Sequence, residues 1–196
     1  LPHRSLVEAK LEGQFLLTLP AAAISAYNAN AMPILAPNSF EFISRSAEQT
    51  RRVGMRLGGL IDSRAVICLV GDLGSGKTTF VKGLAAGWGS LDAVTSPTFV
   101  LVNMYRRPDR GLLYHLDAYR LKDAQEARDL DLDAMLEGGP LVIEWAERIQ
   151  EALPKEHFLV TLRWITLDRR DLIFIAKGSH YQLLLTALRQ RLYGGL

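Results

Sequence analysis

Residues 66–89 read "VICLVGDLGSGKTTFVKGLAAGWG". An unbroken apolar run, residues 65–70, comes first and has the character of a strand buried on both faces. Residues 71–78 then follow the pattern G-x-x-x-x-G-K-T. Beyond them Phe80, Val81, Leu84, Ala85 and Trp88 recur at helical spacing, with Gly87 and Gly89 marking the stop. Strand, glycine loop and helix, in that order, build a phosphate cradle. The glycines let the backbone wrap close to phosphate oxygens and aim several N–H groups inward. The helix adds its positive N-terminal end. In such a P-loop Lys77 reaches the β- and γ-phosphates, and the Thr78 hydroxyl joins a Mg²⁺ shell.

Upstream of the loop, Ser46-x-x-Gln49 is a capping-box pattern that opens a helix with Val53, Leu57, Leu60 and Ile61 on one face. Downstream, "TFVLVNMY" (98–105) and "GLLYHLDAYR" (111–120) flank the turn "RRPDRG" and predict an antiparallel hairpin. "DAQEARDLDLDAML" (123–136) predicts a helix. Pro140 introduces "LVIEW" (141–145), a second buried strand, followed by a short helix in "AERIQEAL". "HFLVTLRWITL" and "DLIFIAK" form a second hairpin, and Ser179-x-x-Gln182 caps a last helix carrying Tyr181, Leu184, Leu185 and Leu188. The expected fold is an α/β, P-loop NTPase-like three-layer domain over residues 39–196. Its sheet is mixed and mainly parallel, with antiparallel hairpins added.

Composition agrees with one domain of ordinary size. The 196 residues are 48% hydrophobic and 22% charged, within the range of globular chains. A net charge of +2 does not by itself imply nucleic-acid binding, and a lone cysteine, Cys68, excludes a disulfide framework or a Cys-based zinc site. Residues 1–38 read as a poorly ordered extension. Their apolar run is broken by Pro20, Pro33 and Pro37, which argues against a membrane-spanning helix. Arg4 and Lys10 before that run faintly suggest a targeting segment, and Glu8 and Glu12 argue against it. An ATP-using module is expected in the cytoplasm.

A phosphate cradle also needs an acid at a strand end to hold Mg²⁺ opposite the threonine. Two candidates follow apolar runs directly: Asp117 after "LLYHL" and Glu144 after "LVI". Residue pattern alone does not separate them. His115 has no second His or Cys nearby, so it reads as a packed histidine or one placed behind a metal ligand. Arg106, Arg107 and Arg110 read as a solvated hairpin tip.

Four motifs in sequence, "GDLGSGKTTFVKG", "SPTFVLVNMY", "LYHLDAYRL" and "LVIEWAERI", together resemble the TsaE (YjeE) family, over about residues 40 to 165. That family serves bacterial threonylcarbamoyl modification of tRNA adenosine 37. The resemblance implies a P-loop fold, weak Mg²⁺-dependent ATP hydrolysis, and action on the TsaB–TsaD pair, with tRNA engaged indirectly and no membrane. Gly71, Asp72, Leu73, Gly74, Ser75, Gly76, Lys77, Thr78 and Thr79 match its nucleotide loop. Thr78 and Glu144 match its Mg²⁺ ligands, and Asp117 an acid needed for hydrolysis. Lys77, Asp117 and Glu144 are thus the catalytic candidates. Trp145 matches a tryptophan near the nucleotide, Thr50 a residue near the adenine, and Ser96, Pro97 and Thr98 a switch-like segment. One departure concerns the stretch after "YRL": Asp131 stands where the family carries glycine, which puts that turn in question. The alternative readings are a P-loop small-molecule kinase and a nucleotide-binding regulatory module without turnover.

Overall fold

The computed structural model describes residues 37–95 and 100–194. The extension expected over residues 1–38 therefore lies, up to residue 36, outside the described residues, as do Ser96, Pro97 and Thr98.

The chain order is β1 (Ser39–Ser44), α1 (Ala47–Gly58), β2 (Val66–Val70), α2 (Lys77–Trp88), β3 (Val102–Arg106) and β4 (Leu112–Asp117). Then come α3 (Ala124–Arg128), α4 (Leu132–Gly138), β5 (Leu141–Glu144), β6 (His157–Trp164), β7 (Arg170–Lys177) and α5 (Ser179–Tyr193). Short 3₁₀ segments occupy Ala118–Arg120 and Ala146–Ala152. The seven strands form one sheet in the order β1-β7-β6-β2-β5-β4-β3. Its central block, β6-β2-β5-β4, is parallel, and antiparallel pairs β3–β4, β6–β7 and β1–β7 extend it on both sides. The expected mixed sheet with two hairpins is the observed one.

β2 is central because its side chains are apolar on both faces. Ile67 and Leu69 enter a core with α1, α2 and α5, whereas Val66 and Cys68 enter a second core with α3, α4 and the 3₁₀ segment after β5. These are the three layers. The α1–α2 contact is unusually close, and four glycines explain it. A Cβ on Gly54 would lie 2.2 Å from the Phe80 carbonyl oxygen. One on Gly58 would lie 1.9 Å from that of Leu84, one on Gly83 1.8 Å from that of Arg51, and one on Gly87 1.9 Å from that of Met55. Gly54-x-x-x-Gly58 and Gly83-x-x-x-Gly87 thus face one another, and each helix backbone rests on the other.

Several sequence expectations need correction. Gly87 does not stop α2; it lies inside the helix as a contact, and Gly89, in the left-handed region at φ 96°, makes the cap. The last helix is entered from Gly178, with no side-chain cap, so Ser179 is its first residue rather than its capping residue. Residues 123–136 are two short helices, not one. The break falls at Asp131, whose φ is 55° and whose carboxylate accepts from the Ala134 N–H. This is a left-handed position, which glycine occupies without cost and Asp tolerates by bonding locally. The chain therefore turns at Asp131 itself, the position where the resemblance led to glycine being expected. The edge strand β1 lay unrecognised in the sequence, because "SFEFIS" acquires strand character only by pairing with β7.

Candidate functional site

Parallel register places three strand ends side by side. Leu69 pairs with Glu144 and Asp117 with Glu144, so the loop after β2 opens beside both acids. Gly71 and Gly74 take φ of 146° and 77°, and Gly76, at 104°, caps α2. Phe80 N–H donates to the Gly76 carbonyl at 2.9 Å, which starts the helix at the cradle. A cleft of about 230 Å³ is lined by Leu73, Gly74, Gly76, Lys77, Thr78, Thr79, Asp117, Glu144 and Trp145. Nine of the residues singled out in the sequence therefore meet in one place. Asp72 is exposed beside them, while Ser75 is buried with its hydroxyl unpartnered among the described residues.

Lys77 is buried, and its Nζ donates to the carbonyls of Gly71 (2.6 Å) and Asp72 (3.0 Å). It also lies 3.5 Å from the centroid of the Trp145 ring, a cation–π contact. Burial lowers the Lys77 pKa, opposed by the carboxylates of Glu144, Glu147, Asp117 and Asp72. Trp145 reaches it from a backbone at φ 59°, rare for a bulky residue and characteristic of strained functional positions.

The Thr78 hydroxyl donates to both Glu144 oxygens, at 2.9 and 3.1 Å. A hydroxyl and a carboxylate meeting at the mouth of a phosphate loop form a hard-oxygen pair suited to Mg²⁺, which takes few protein ligands and completes its shell with phosphate and water. The charge balance points the same way, since four carboxylates surround one lysine. The residues present therefore fit the ion. Asp117, on the neighbouring strand, is buried and accepts from the Tyr119 N–H at 2.9 Å. His115 is fully buried, with Nε2 2.9 Å from Glu144 Oε1, so the packed histidine of the sequence stands directly behind the carboxylate. Thr50 is buried on α1; its hydroxyl meets Ser44 Oγ at 2.8 Å, and its methyl approaches Gly76 from behind the loop. At the hairpin tip, Arg106 pairs with Asp92, Arg107 pairs with Asp109 and lies over the Trp88 ring, and Arg110 sits in the turn at φ 68°.

Three residues of this region were missed in the sequence. Glu147 faces Lys77 from the 3₁₀ segment; burial raises its pKa, and its Oε2 is buried without a hydrogen-bond partner among the described residues. Its signal was only its place three residues after Glu144. Trp164 and Arg170 come from the β6–β7 hairpin. Arg170 donates to the Ser75 carbonyl at 3.1 Å and stacks over the Trp164 ring, which stands next to Gly74. Nothing local marks them, because the hairpin reaches the loop through the fold.

Fold and cradle together define a P-loop-type α/β protein. Residues 44–172 match the family model described as threonylcarbamoyl adenosine biosynthesis protein TsaE. The tRNA threonylcarbamoyladenosine biosynthesis protein TsaE of Bacillus subtilis is 40% identical over 139 residues, covering 70% of this chain and 85% of that protein. The protein of the same name from Treponema pallidum is 40% identical over 131 residues, 66% of this chain and 96% of its own length. The crystal structure of YdiB from Bacillus subtilis superposes with a TM-score of 0.65 at 31% identity, covering 78% of this chain and 95% of that one. The chain belongs to the TsaE family.

Proposed function

We propose that this protein is a P-loop ATPase that supports threonylcarbamoyl modification of tRNA adenosine 37 in the cytoplasm, using ATP and Mg²⁺ and acting on a TsaB–TsaD complex. The observation that carries the ATPase part is the meeting of Thr78 and Glu144 beside Lys77 and Asp117 at three adjacent strand ends. The names of the relatives support the pathway.

ATP bound with Mg²⁺ would supply the electrophilic γ-phosphorus. Lys77 gives up the Gly71 and Asp72 carbonyls to meet the phosphates, which are stronger acceptors. Thr78 and Glu144 would hold the Mg²⁺ through their oxygens, once the Thr78 hydroxyl proton turns away from Glu144. Asp117, held by the Tyr119 N–H, would orient the attacking water and accept its proton as the new P–O bond forms and the bond to the β-phosphate oxygen breaks, ADP leaving with that electron pair. The Trp164 face, backed by Arg170, offers a stacking surface for the base. The described residues belong to one compact unit, with no separate acceptor lobe among them, which favours a switch read by a partner over a small-molecule kinase.

The test is ATP hydrolysis by the purified protein, alone and with TsaB–TsaD, with Lys77→Ala as control. Slow turnover that rises with the partners and disappears in the control is expected. Turnover indifferent to the partners but dependent on an added small-molecule acceptor would replace this reading with a kinase.

A further inference from the structure

Behind Glu144 runs a buried chain of polar groups that the cradle itself does not require. His115 Nε2 lies 2.9 Å from Glu144 Oε1, and His115 Nδ1 lies 3.1 Å from the Tyr105 hydroxyl. That hydroxyl is also 3.0 Å from the Thr95 carbonyl oxygen. His115 is wholly buried and Tyr105 nearly so, so neither ring can exchange these partners for water. The two rings sit on adjacent antiparallel strands, with Tyr105 paired to Leu113 and Asn103 to His115.

The proton count makes this arrangement directional. A carboxylate oxygen only accepts, so Nε2 carries the proton of the bond to Glu144, and a ring with that one proton offers Nδ1 as an acceptor. The Tyr105 hydroxyl has one proton for two acceptors, Nδ1 and the Thr95 carbonyl. When it turns to the histidine, Asn103 Nδ2, 3.2 Å from the Thr95 oxygen, can still serve that carbonyl. A donor fixed on Oε1 also orients the carboxylate, whose two oxygens both stay within reach of the Thr78 hydroxyl.

We propose that His115 and Tyr105 are positioning residues that set the Glu144 carboxylate for a divalent cation and tie its occupancy to the backbone at Thr95. This deepens the reading of the site as a Mg²⁺–nucleotide cradle and rests on it. Groups that hold a ligating carboxylate from behind typically tune metal affinity by about 10- to 100-fold.

The substitutions separate this role from packing. Gln at 115 places its amide nitrogen near the position of Nε2 and keeps the donor to Glu144. Asn reaches only as far as Nδ1 and loses that donor. Mn²⁺ affinity, read by electron paramagnetic resonance in the presence of ADP, should fall about 10- to 100-fold in His115→Asn and recover in His115→Gln. Metal-free ADP binding should stay at the wild-type value in both. Tyr105→Phe should shift the ring ¹⁵N signals of His115 in the ligand-free protein, by removing the donor to Nδ1.

Equal Mn²⁺ affinity in the wild type and His115→Asn, with only a lowered Tm, would overturn the proposal and leave His115 as a packing residue. A wild type that binds no ADP would sink the nucleotide reading instead. The relay then stands or falls on the ligand-free spectrum, where His115 signals unmoved by Tyr105→Phe overturn it.

Discussion

Asp171 shows how one side chain can set the pH response of this fold. It lies on β7 beside Glu41 of β1, and one of its oxygens, Oδ1, is buried without a hydrogen-bond partner among the described residues. Burial, then the hydrogen bond and charge of Glu41, raise its pKa from 3.8 to about 7, against the opposing pull of Arg163. A carboxyl group whose folded pKa is raised favours the folded state while protonated. Its contribution is complete below the unfolded pKa and is lost as pH rises through the window from 3.8 to about 7. Thermal melts of the wild type should therefore lose stability across that window, and Asp171→Asn should flatten the loss. Identical pH profiles for the two proteins would remove Asp171 from the account. Glu147 belongs to the same scale, since its charge acts on Lys77 and its Oε2 is buried without a hydrogen-bond partner among the described residues. Glu147→Gln keeps the shape and removes a negative charge beside the incoming phosphates. ADP and ATP should then bind more tightly, by about threefold to tenfold, while uncharged adenosine is unaffected. An equal change for adenosine would mean that shape, not charge, is altered.

At the level of elements, the glycine seam between α1 and α2 has the least room for change. At Gly83 a Cβ would meet the Arg51 carbonyl oxygen at 1.8 Å, and a backbone atom cannot swing aside as a side chain can. Gly83→Ala must push the helices apart, at a cost of about 1–3 kcal/mol or more. Gly59→Ala is the control, because the nearest atom there, 3.0 Å away, is the end of the Arg191 side chain. Urea unfolding should show a lowered midpoint for the first and little change for the second; equal midpoints would mean the seam is not a close contact in solution. The same elements show what could be read from the chain. β2, the loop and α2 were legible because their signals are contiguous: an apolar run, a glycine spacing, then a 3.6-residue period. β5 was legible for the same reason, with Glu144 at its end. β1 was not, since alternating "SFEFIS" becomes a strand only beside β7, and the capping pattern at Ser179 misled because Gly178 already turns the chain. Glycines facing another helix look the same in sequence as glycines that end one, hence the misreading of Gly87.

For the whole molecule, the sheet acts as a device for bringing distant residues together. Lys77 and Thr78 follow β2, Asp117 ends β4 and Glu144 ends β5, so only the parallel register makes them one site. The acids were legible as strand ends, but their separate tasks are set by neighbours: Glu144 faces Thr78, whereas Asp117 is held by the Tyr119 N–H. Binding at such a site is felt throughout the fold, because a ligand that binds only the folded state stabilises it by mass action. At a hundred times its Kd the gain is about 2.7 kcal/mol, or roughly 5–10 °C in Tm for a domain of this size. Mg²⁺-ATP should therefore raise the Tm of the wild type by that order. Glu144→Gln, having lost half of the oxygen pair, should lose the Mg²⁺-dependent part of the rise and keep the part due to nucleotide alone. Asp117→Asn should keep most of the rise yet lose hydrolysis, if it acts as proposed, on water rather than on binding. Scanning calorimetry with ATP, with and without Mg²⁺, set beside phosphate release, distinguishes the two. If Asp117→Asn loses the Mg²⁺-dependent rise and Glu144→Gln keeps it, the metal belongs to Asp117 and the roles of the two strand ends exchange.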